Sequence, residues 1–481
     1  MSQTVRKFIQ AALGYGLASI LTSLLAFLLL PLYTQLLSPA DYGVIDVVAT
    51  VTTLLVTLVV FGVDHALQAF FFDGDAAYHQ RLSGTVLWTT LSFAFVVWGA
   101  QIMLAPLLAQ ALFAQPSYAV FFYLSSMQVL VAPLVLVLTA IYRLRVRVLH
   151  VNLIGLLTVV SVIAGNLIFV GLLGYGILGV ALATGVTYSV VLFCLLLFAH
   201  ADLRLPFDRS LLRPIYGAAV GVLPATLSWL LILNIDRVLL TQFVSLDDLG
   251  RYSLASKIAT MLYVGFTIIW GAWVPLALAM AREPQAPQHY ARVFELFSVG
   301  AMGVALGLGL FTPEILSLIS RADFQAAAPY ALVLMAFTGP LTFMSACFNL
   351  PFYIAKRTYL LSVVNISAAL VNIGLNLLLD PLIGIWGAVL ATIAAGLVMI
   401  SVGYLLGRRL ITIPYRWLRL APALAAYSAI VAAFAFLPGL HSMLKIAALS
   451  LFGAVVFGSG ILSPQLIRQG LALLRVRPSV G

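Results

Sequence analysis

Residues 34–43 read TQLLSPADYG, and residues 241–250 read TQFVSLDDLG. Thr, Gln, Ser, Asp and Gly recur in one order at one spacing, displaced by 207 residues. Two further echoes keep nearly the same displacement. GILGVALAT at 176–184 matches GIWGAVLAT at 384–392, and Asn166-Leu167 pairs with Asn376-Leu377. Small residues recur often in apolar helices, but three anchors at nearly one displacement point to a duplicated unit.

Composition says what the unit is built from. Of 481 residues, 63% are hydrophobic and 8% charged, and the mean hydropathy is +1.12. Soluble domains carry ~25% charged residues. A spanning helix needs ~20 mainly apolar residues, and such runs follow one another almost end to end. They lack the strand alternation of a membrane barrel, so helices must satisfy the backbone in hydrocarbon. Polar punctuation divides the chain into fourteen candidate spans between residues 10 and 463. The first, 10–36, follows Arg6 and Lys7 and is too long for a cleavable signal peptide. Cys194 and Cys347 both lie in apolar runs and supply neither a disulfide framework nor metal-ligand spacing.

The expected architecture is an all-α polytopic membrane protein with about fourteen transmembrane helices. One six-helix bundle covers residues 1–206, a second covers 207–412, and two additional helices with a tail occupy 413–481. The boundary is the polar stretch HADLRLPFDRSLLRP at 200–214. A period of six spans is even, so both copies enter the membrane in one direction, related by a pseudo-two-fold along the membrane normal. In the repeated phrase itself, Ser38 and Ser245 are expected to cap the entering helices, and Asp41 and Asp248 to offset their positive ends. Gly43 and Gly250 permit a tight reversal or close packing.

The formal charge is +10, and its distribution decides its meaning. With the N-terminus in the cytoplasm, twenty of the twenty-five basic residues fall in inner segments and three, Arg251, Arg321 and Lys445, in outer ones. That asymmetry predicts a multi-pass protein of the cytoplasmic (inner) membrane with both termini inside. The basic balance is then a topology signal with attraction to anionic lipid heads, not a nucleic-acid footprint.

Polar residues inside the spans are few. The span near 43–68 carries Asp46, Thr50, Thr53, Thr57 and Asp64, at offsets that share one helical face. The span near 251–280 carries Ser253, Lys257, Thr260 and Thr267, with Lys257 standing where the first copy has Thr50. The span near 214–243 holds Asn234, Asp236 and Arg237. Threonine stripes by themselves serve helix packing. An ionised group in lipid costs at least ~2.5 kcal/mol, so it faces a cavity or a partner. Arg237 as a fork and Lys257 as a point charge would suit a phosphate or pyrophosphate; an Asp236–Arg237 structural pair, or Arg237 snorkelling outward, is the competing arrangement. The candidate substrate-binding residues are Arg237, Lys257, Asn234, Thr50, Thr53 and, at the inner mouth, Arg81. The candidates for ion coupling or gating are Asp46, Asp64, His65 and Asp236. Asp73-Gly74-Asp75 reads as a solvated turn rather than a metal-binding pair. The chain has no Walker A motif, no H-E-x-x-H, no nucleophile elbow and no dinucleotide fingerprint. No loop exceeds about twenty residues, which leaves no catalytic domain outside the bilayer. No bound cofactor is expected.

Four segments carry a family resemblance: LLPLYTQLLSPADYGVIDVVAT at 29–50, FGVDHALQAFFFD at 61–73, NIDRVLLTQFVSLDDLGRYSLASKIA at 234–259 and NLLLDPLIGIWGAVLAT at 376–392. Through the twelfth span the chain resembles Wzx-type polysaccharide flippases of the multidrug, oligosaccharidyl-lipid and polysaccharide exporter superfamily. The resemblance implies two bundles forming a V around a cationic cavity. The substrate would be an O-antigen or exopolysaccharide repeat unit on undecaprenyl diphosphate, moved between leaflets while its polyprenyl tail stays in lipid. It further implies H+ or Na+ coupling through Asp46, Asp64 or Asp236, and work beside a polysaccharide polymerase and chain-length proteins. A lipid II flippase is the alternative within transport. A membrane-embedded polymerase or ligase would require a substantial outer loop bearing Arg and His, and the outer loops are short.

Overall fold

The computed structural model describes residues 28–198, 205–436 and 442–462. Arg6, Lys7, most of the first expected span, Arg204 and the tail arginines lie outside the described residues, as does the side chain of Thr267. The described residues are helical throughout, joined by short turns. Eleven of their helices are long and apolar enough to cross a membrane. The helices Leu246–Met280 and Ser442–Gly458 occupy two more expected spans, and the first expected span is described only from residue 28. The all-helical architecture expected from composition is the observed one.

The helices form two compact units. The first comprises Met1–Ser253 with Ile319–Phe324 and Asn372–Ala388; the second comprises Leu254–Leu318, Gln325–Val371 and Val389–Gly481.

In the first unit, the helix Pro39–Val60 begins at Ser38, whose hydroxyl accepts from the Asp41 amide at 3.1 Å while the Asp41 carboxylate reaches back to the Ser38 amide at 3.3 Å. This reciprocal pair satisfies two backbone donors that the first helical turn leaves open. The echo repeats the serine cap: the Asp248 amide donates to the Ser245 hydroxyl at 3.1 Å, and that hydroxyl to the Asp248 carboxylate at 3.0 Å. The two phrases also meet. A Cβ on Gly43 would lie 2.9 Å from the Gly250 nitrogen, and one on Gly250 would lie 1.7 Å from the Pro39 carbonyl oxygen. Only glycine admits backbones this close. The first phrase additionally holds the segment Ile319–Phe324, through the Thr34 hydroxyl 2.6 Å from the Ile319 carbonyl and the Arg321 amide donating to Thr34 at 3.1 Å.

The span expected as one helix near 43–68 is broken. Phe61 and Gly62 turn left-handed (φ 52° and 75°), and a separate helix runs Val63–Phe70. Asp64 therefore leaves the helical register that put it on one face with Asp46, because the offset of 18 was counted through a break. The next helix, Ala76–Phe113, has 38 residues; at 1.5 Å per residue it is ~57 Å long and overshoots the ~30 Å hydrocarbon layer. Asp75 caps it, accepting from the Tyr78 amide at 2.8 Å, so the Asp73–Asp75 turn is a helix start. Leu67, Leu82, Val86, Leu138, Ile141 and Val191 form the fully buried core of this unit. Outward-facing Met103 is 83% exposed, the pattern of a surface solvated by lipid rather than water.

The second unit packs Phe294, Met302, Phe348, Tyr427 and Phe452 together. The Tyr427 hydroxyl donates to the Ala336 carbonyl, and Lys445 is clamped by both carboxylate oxygens of Glu314 at 2.6 and 2.7 Å.

Candidate functional site

Several buried polar residues of the first unit gather around Arg237. It sits one turn from the end of the helix Leu212–Leu240 and is 4% exposed. Its Nε lies 2.8 Å from Asp46 Oδ2 on the helix Pro39–Val60. Its Nη1 donates to Asn234 Oδ1 at 2.7 Å and to the Leu233 carbonyl at 3.1 Å. Asn234 donates in turn to Leu230. Asp236 points elsewhere: its carboxylate accepts from the Tyr252 hydroxyl and from the Arg237 amide at 2.9 Å. The helix Tyr359–Ile383 brings a third carboxylate, Asp380, within electrostatic reach of Asp236.

Asp380 is 1% exposed, and neither of its oxygens has a hydrogen-bond donor among the described residues. Asn376 and Asn372, one and two turns earlier on the same helix, are fully buried. Asn376 donates to the Asn372 carbonyl at 2.8 Å, leaving its own oxygen without a donor. A buried carboxylate without a donor is costly in its ionised form. The sequence reading passed over Asp380 because it stands at the end of a long apolar run beside Pro381. Its signal was available: it is the last acidic residue in the chain, and it interrupts a motif, NLLLDPLIG, that was noticed for its repeat rather than its charge.

The other sequence candidates fall as follows. Thr50 is buried and Thr53 half-buried on the Asp46 helix, with Thr53 bonding back to the Ala49 carbonyl at 2.8 Å. Lys257 is half-buried, belongs to the second unit and forms no ion pair among the described residues. Asp64 and His65 face one another at 3.9 Å on the short helix after the break. Arg81 is exposed and reaches Asp208 at 3.3 Å, across the stretch expected to part the two copies. The Asp208 carboxyl is held below its ordinary value, first by the Ser210 hydroxyl and amide and then by Arg81. Sequence named Asp46, Asn234, Asp236 and Arg237 as candidates on two separate spans; the structure brings them together, with Asp46, rather than Asp236, paired to the guanidinium side chain. A mostly apolar cavity of about 800 Å³ lies beside the helix break, lined by Phe61, Trp88, Phe93, Phe207 and Tyr216. None of the charged candidates lines it among the described residues.

This is the build of a polytopic helical membrane protein, with buried charges held within a bundle of apolar helices. The chain belongs to the polysaccharide biosynthesis protein family, which it matches over residues 32–329. It is similar in fold to an inward-facing multidrug resistance MATE family transporter of the MOP superfamily, with TM-score 0.68 at 16% identity, covering 80% of this chain and 94% of that one. It is also similar to the lipid II flippase MurJ in an inward closed conformation, with TM-score 0.66 at 11% identity over 93% and 99% of the two chains. An outward-facing MATE transporter gives TM-score 0.59 at 16% identity over 85% and 96%. No curated protein matches the chain by sequence.

Proposed function

We propose that the protein translocates a polyprenyl-diphosphate-linked oligosaccharide across the cytoplasmic membrane for cell-surface polysaccharide assembly. Membership of the polysaccharide biosynthesis family, on a fold otherwise met in transporters and a flippase, carries this reading. Arg237, Asn234, Lys257, Thr50 and Thr53 are proposed to meet the sugar-diphosphate head, with Arg81 at the cytoplasmic mouth. The helices would come from two duplicated six-span copies, 1–206 and 207–412, followed by two further helices over 413–481. The shared serine caps support the duplication, as do left-handed Gly176 and Gly384, which hold φ of 53° and 57° at equivalent positions.

Coupling is proposed to run on H+ or Na+ through Asp236 and Asp380. Their oxygens, with those of Asn372 and Asn376, are the ligand type a hard cation takes, and the orphaned Asp380 carboxylate supports the fit. Asp46 serves instead as counter-ion to Arg237, and Asp64 with His65 as a gate at the helix break. The protein has no catalytic role in this reading; a polymerase and chain-length proteins act on what it delivers.

The testing experiment is the sidedness of lipid-linked repeat units in a deletion strain. Accumulation with the sugars facing the cytoplasm is the expected result. Outward-facing, unpolymerised units would overturn the proposal in favour of a polymerase or ligase. Arrest of peptidoglycan synthesis with intact surface glycan would instead favour a lipid II flippase, the reading prompted by the likeness to MurJ.

A further inference from the structure

The second unit ends in a region of one charge sign. No Asp or Glu occurs after Asp380, whereas Arg408, Arg409, Arg416 and Arg419 crowd into twelve residues. None of these four forms an ion pair among the described residues. Arg408 and Arg409 line a pocket of about 310 Å³, walled by Phe348 and Tyr404 from two spanning helices and closed by the segment that also carries Thr412 and Tyr415. Three rings make its floor: Phe348 lies 5.4 Å from Tyr404 and 5.1 Å from Tyr415, and Tyr404 lies 6.1 Å from Tyr415. The Arg408 guanidinium sits 5.7 Å from the Tyr404 ring centroid, which fixes its plane over the pocket edge. The arginines themselves are exposed.

Position decides the ligand. The spans Ala322–Ile354 and Ile385–Gly407 both end at this pocket, and the span Trp417–Ala435 starts from it. It therefore stands at a membrane boundary, at the depth of lipid headgroups, where aromatic and basic side chains gather. Exposed apolar residues follow its aromatic wall in sequence: Leu405 comes after Tyr404 and 92%-exposed Leu418 after Trp417, whose ring lies 6.0 Å from that of Tyr404. We propose that the pocket binds the headgroup of an anionic phospholipid. Arg408 and Arg409 fork onto the phosphodiester, Thr412 and the tyrosine hydroxyls take the glycerol oxygens, and the acyl chains run down the Leu405–Leu418 flank. An aqueous phosphate site would have no use for that flank. The proposal is independent of the flippase reading, since it concerns a resident lipid and not the cargo.

The test uses the full chain purified in detergent and the R408Q/R409Q variant. Native mass spectrometry would count retained dioleoyl phosphatidylglycerol against dioleoyl phosphatidylcholine, and thermal unfolding would be followed with each lipid and with inorganic phosphate. Expected are preferential retention of phosphatidylglycerol, a rise in melting temperature with that lipid alone, and about tenfold weaker retention in the variant. The exposed Arg321→Gln variant, at another loop, should behave as the wild type. Single variants R408Q and R409Q, each expected to lose about threefold, give the same reading should the double variant not be recovered. Equal retention of phosphatidylcholine, unchanged retention in the variants, or a phosphate effect equal to that of the lipid would each overturn the assignment.

Discussion

Asp46 and Arg237 are 191 residues apart in sequence and 2.8 Å apart in the fold. Neither position carries a charge in its repeat counterpart: the displacement of 207 takes Asp46 to Ser253 and returns Arg237 to Leu30. Under the proposed duplication the pair stands where the two copies differ. Both partners are almost dry, at 5% and 11% side-chain exposure, so removing one leaves a charge without its partner at a cost of about 3–5 kcal/mol. Asp46→Asn and Arg237→Gln should each lower the melting temperature of the purified protein. The double variant should recover part of the loss, with a coupling of about 1–3 kcal/mol in the thermodynamic cycle; strictly additive effects would deny the pair. Asp380 calls for a different measurement, because its oxygens have no donor to lose among the described residues. A bound ion stabilises by ~2.7 kcal/mol at a hundredfold its dissociation constant. The wild type should melt higher in sodium than in potassium, or shift with pH if the ion is a proton, and Asp380→Asn should abolish that difference.

At the scale of the element, the repeated phrase makes graded demands. Replacing a capping serine costs ~1 kcal/mol, so Ser38→Ala and Ser245→Ala should be mild. Gly250→Ala must push a methyl into the Pro39 carbonyl from 1.7 Å, whereas the Gly43 methyl would start at 2.9 Å. Overpacking costs ~1–3 kcal/mol or more, and melting temperatures should rank Gly250→Ala lowest, then Gly43→Ala, then the serines. The segment 205–208 answers to pH instead. Asp208 has a depressed carboxyl, so its bonds to Ser210 and Arg81 hold above the ordinary carboxylate range and are lost as pH falls through the lower folded value. Limited proteolysis should therefore cut near residues 205–214 faster in strong acid than near pH 5, and Asp208→Asn should remove the difference. Much of this level was legible in sequence. Serine followed three residues later by aspartate announces a capping box, and glycine at a fixed offset announces a close approach. The break at Phe61–Gly62 was not, because apolar periodicity continues straight through it and no proline marks it. Periodicity names the face a side chain occupies; it does not name the neighbour, which is why Asp46 could be placed but not paired.

At the scale of the whole molecule, composition was enough for an all-helical membrane protein, and the punctuation of the chain was enough for its spans, since hydrocarbon leaves the backbone no other solution. The parts proposed for Arg237 and Lys257 are separated by comparing the two. Arg237 is tied to Asp46, Asn234 and a backbone carbonyl. Lys257, its fellow in the proposed substrate site, is half-buried and has no ion pair among the described residues. A cation in lipid costs at least ~2.5 kcal/mol, and for Lys257 no carboxylate among the described residues offsets it. If a diphosphate is its intermittent partner, truncation removes the cost together with the function. Lys257→Ala should then leave the melting temperature unchanged or raised while surface glycan falls at least about tenfold, equivalent to losing one charge-assisted contact. Arg237→Ala should lose both stability and export. Glycan staining of the two variants, beside their melting curves, separates these outcomes. Normal glycan in Lys257→Ala would remove that residue from the transport path, and a parallel loss of stability in both would make the two cations structural alike.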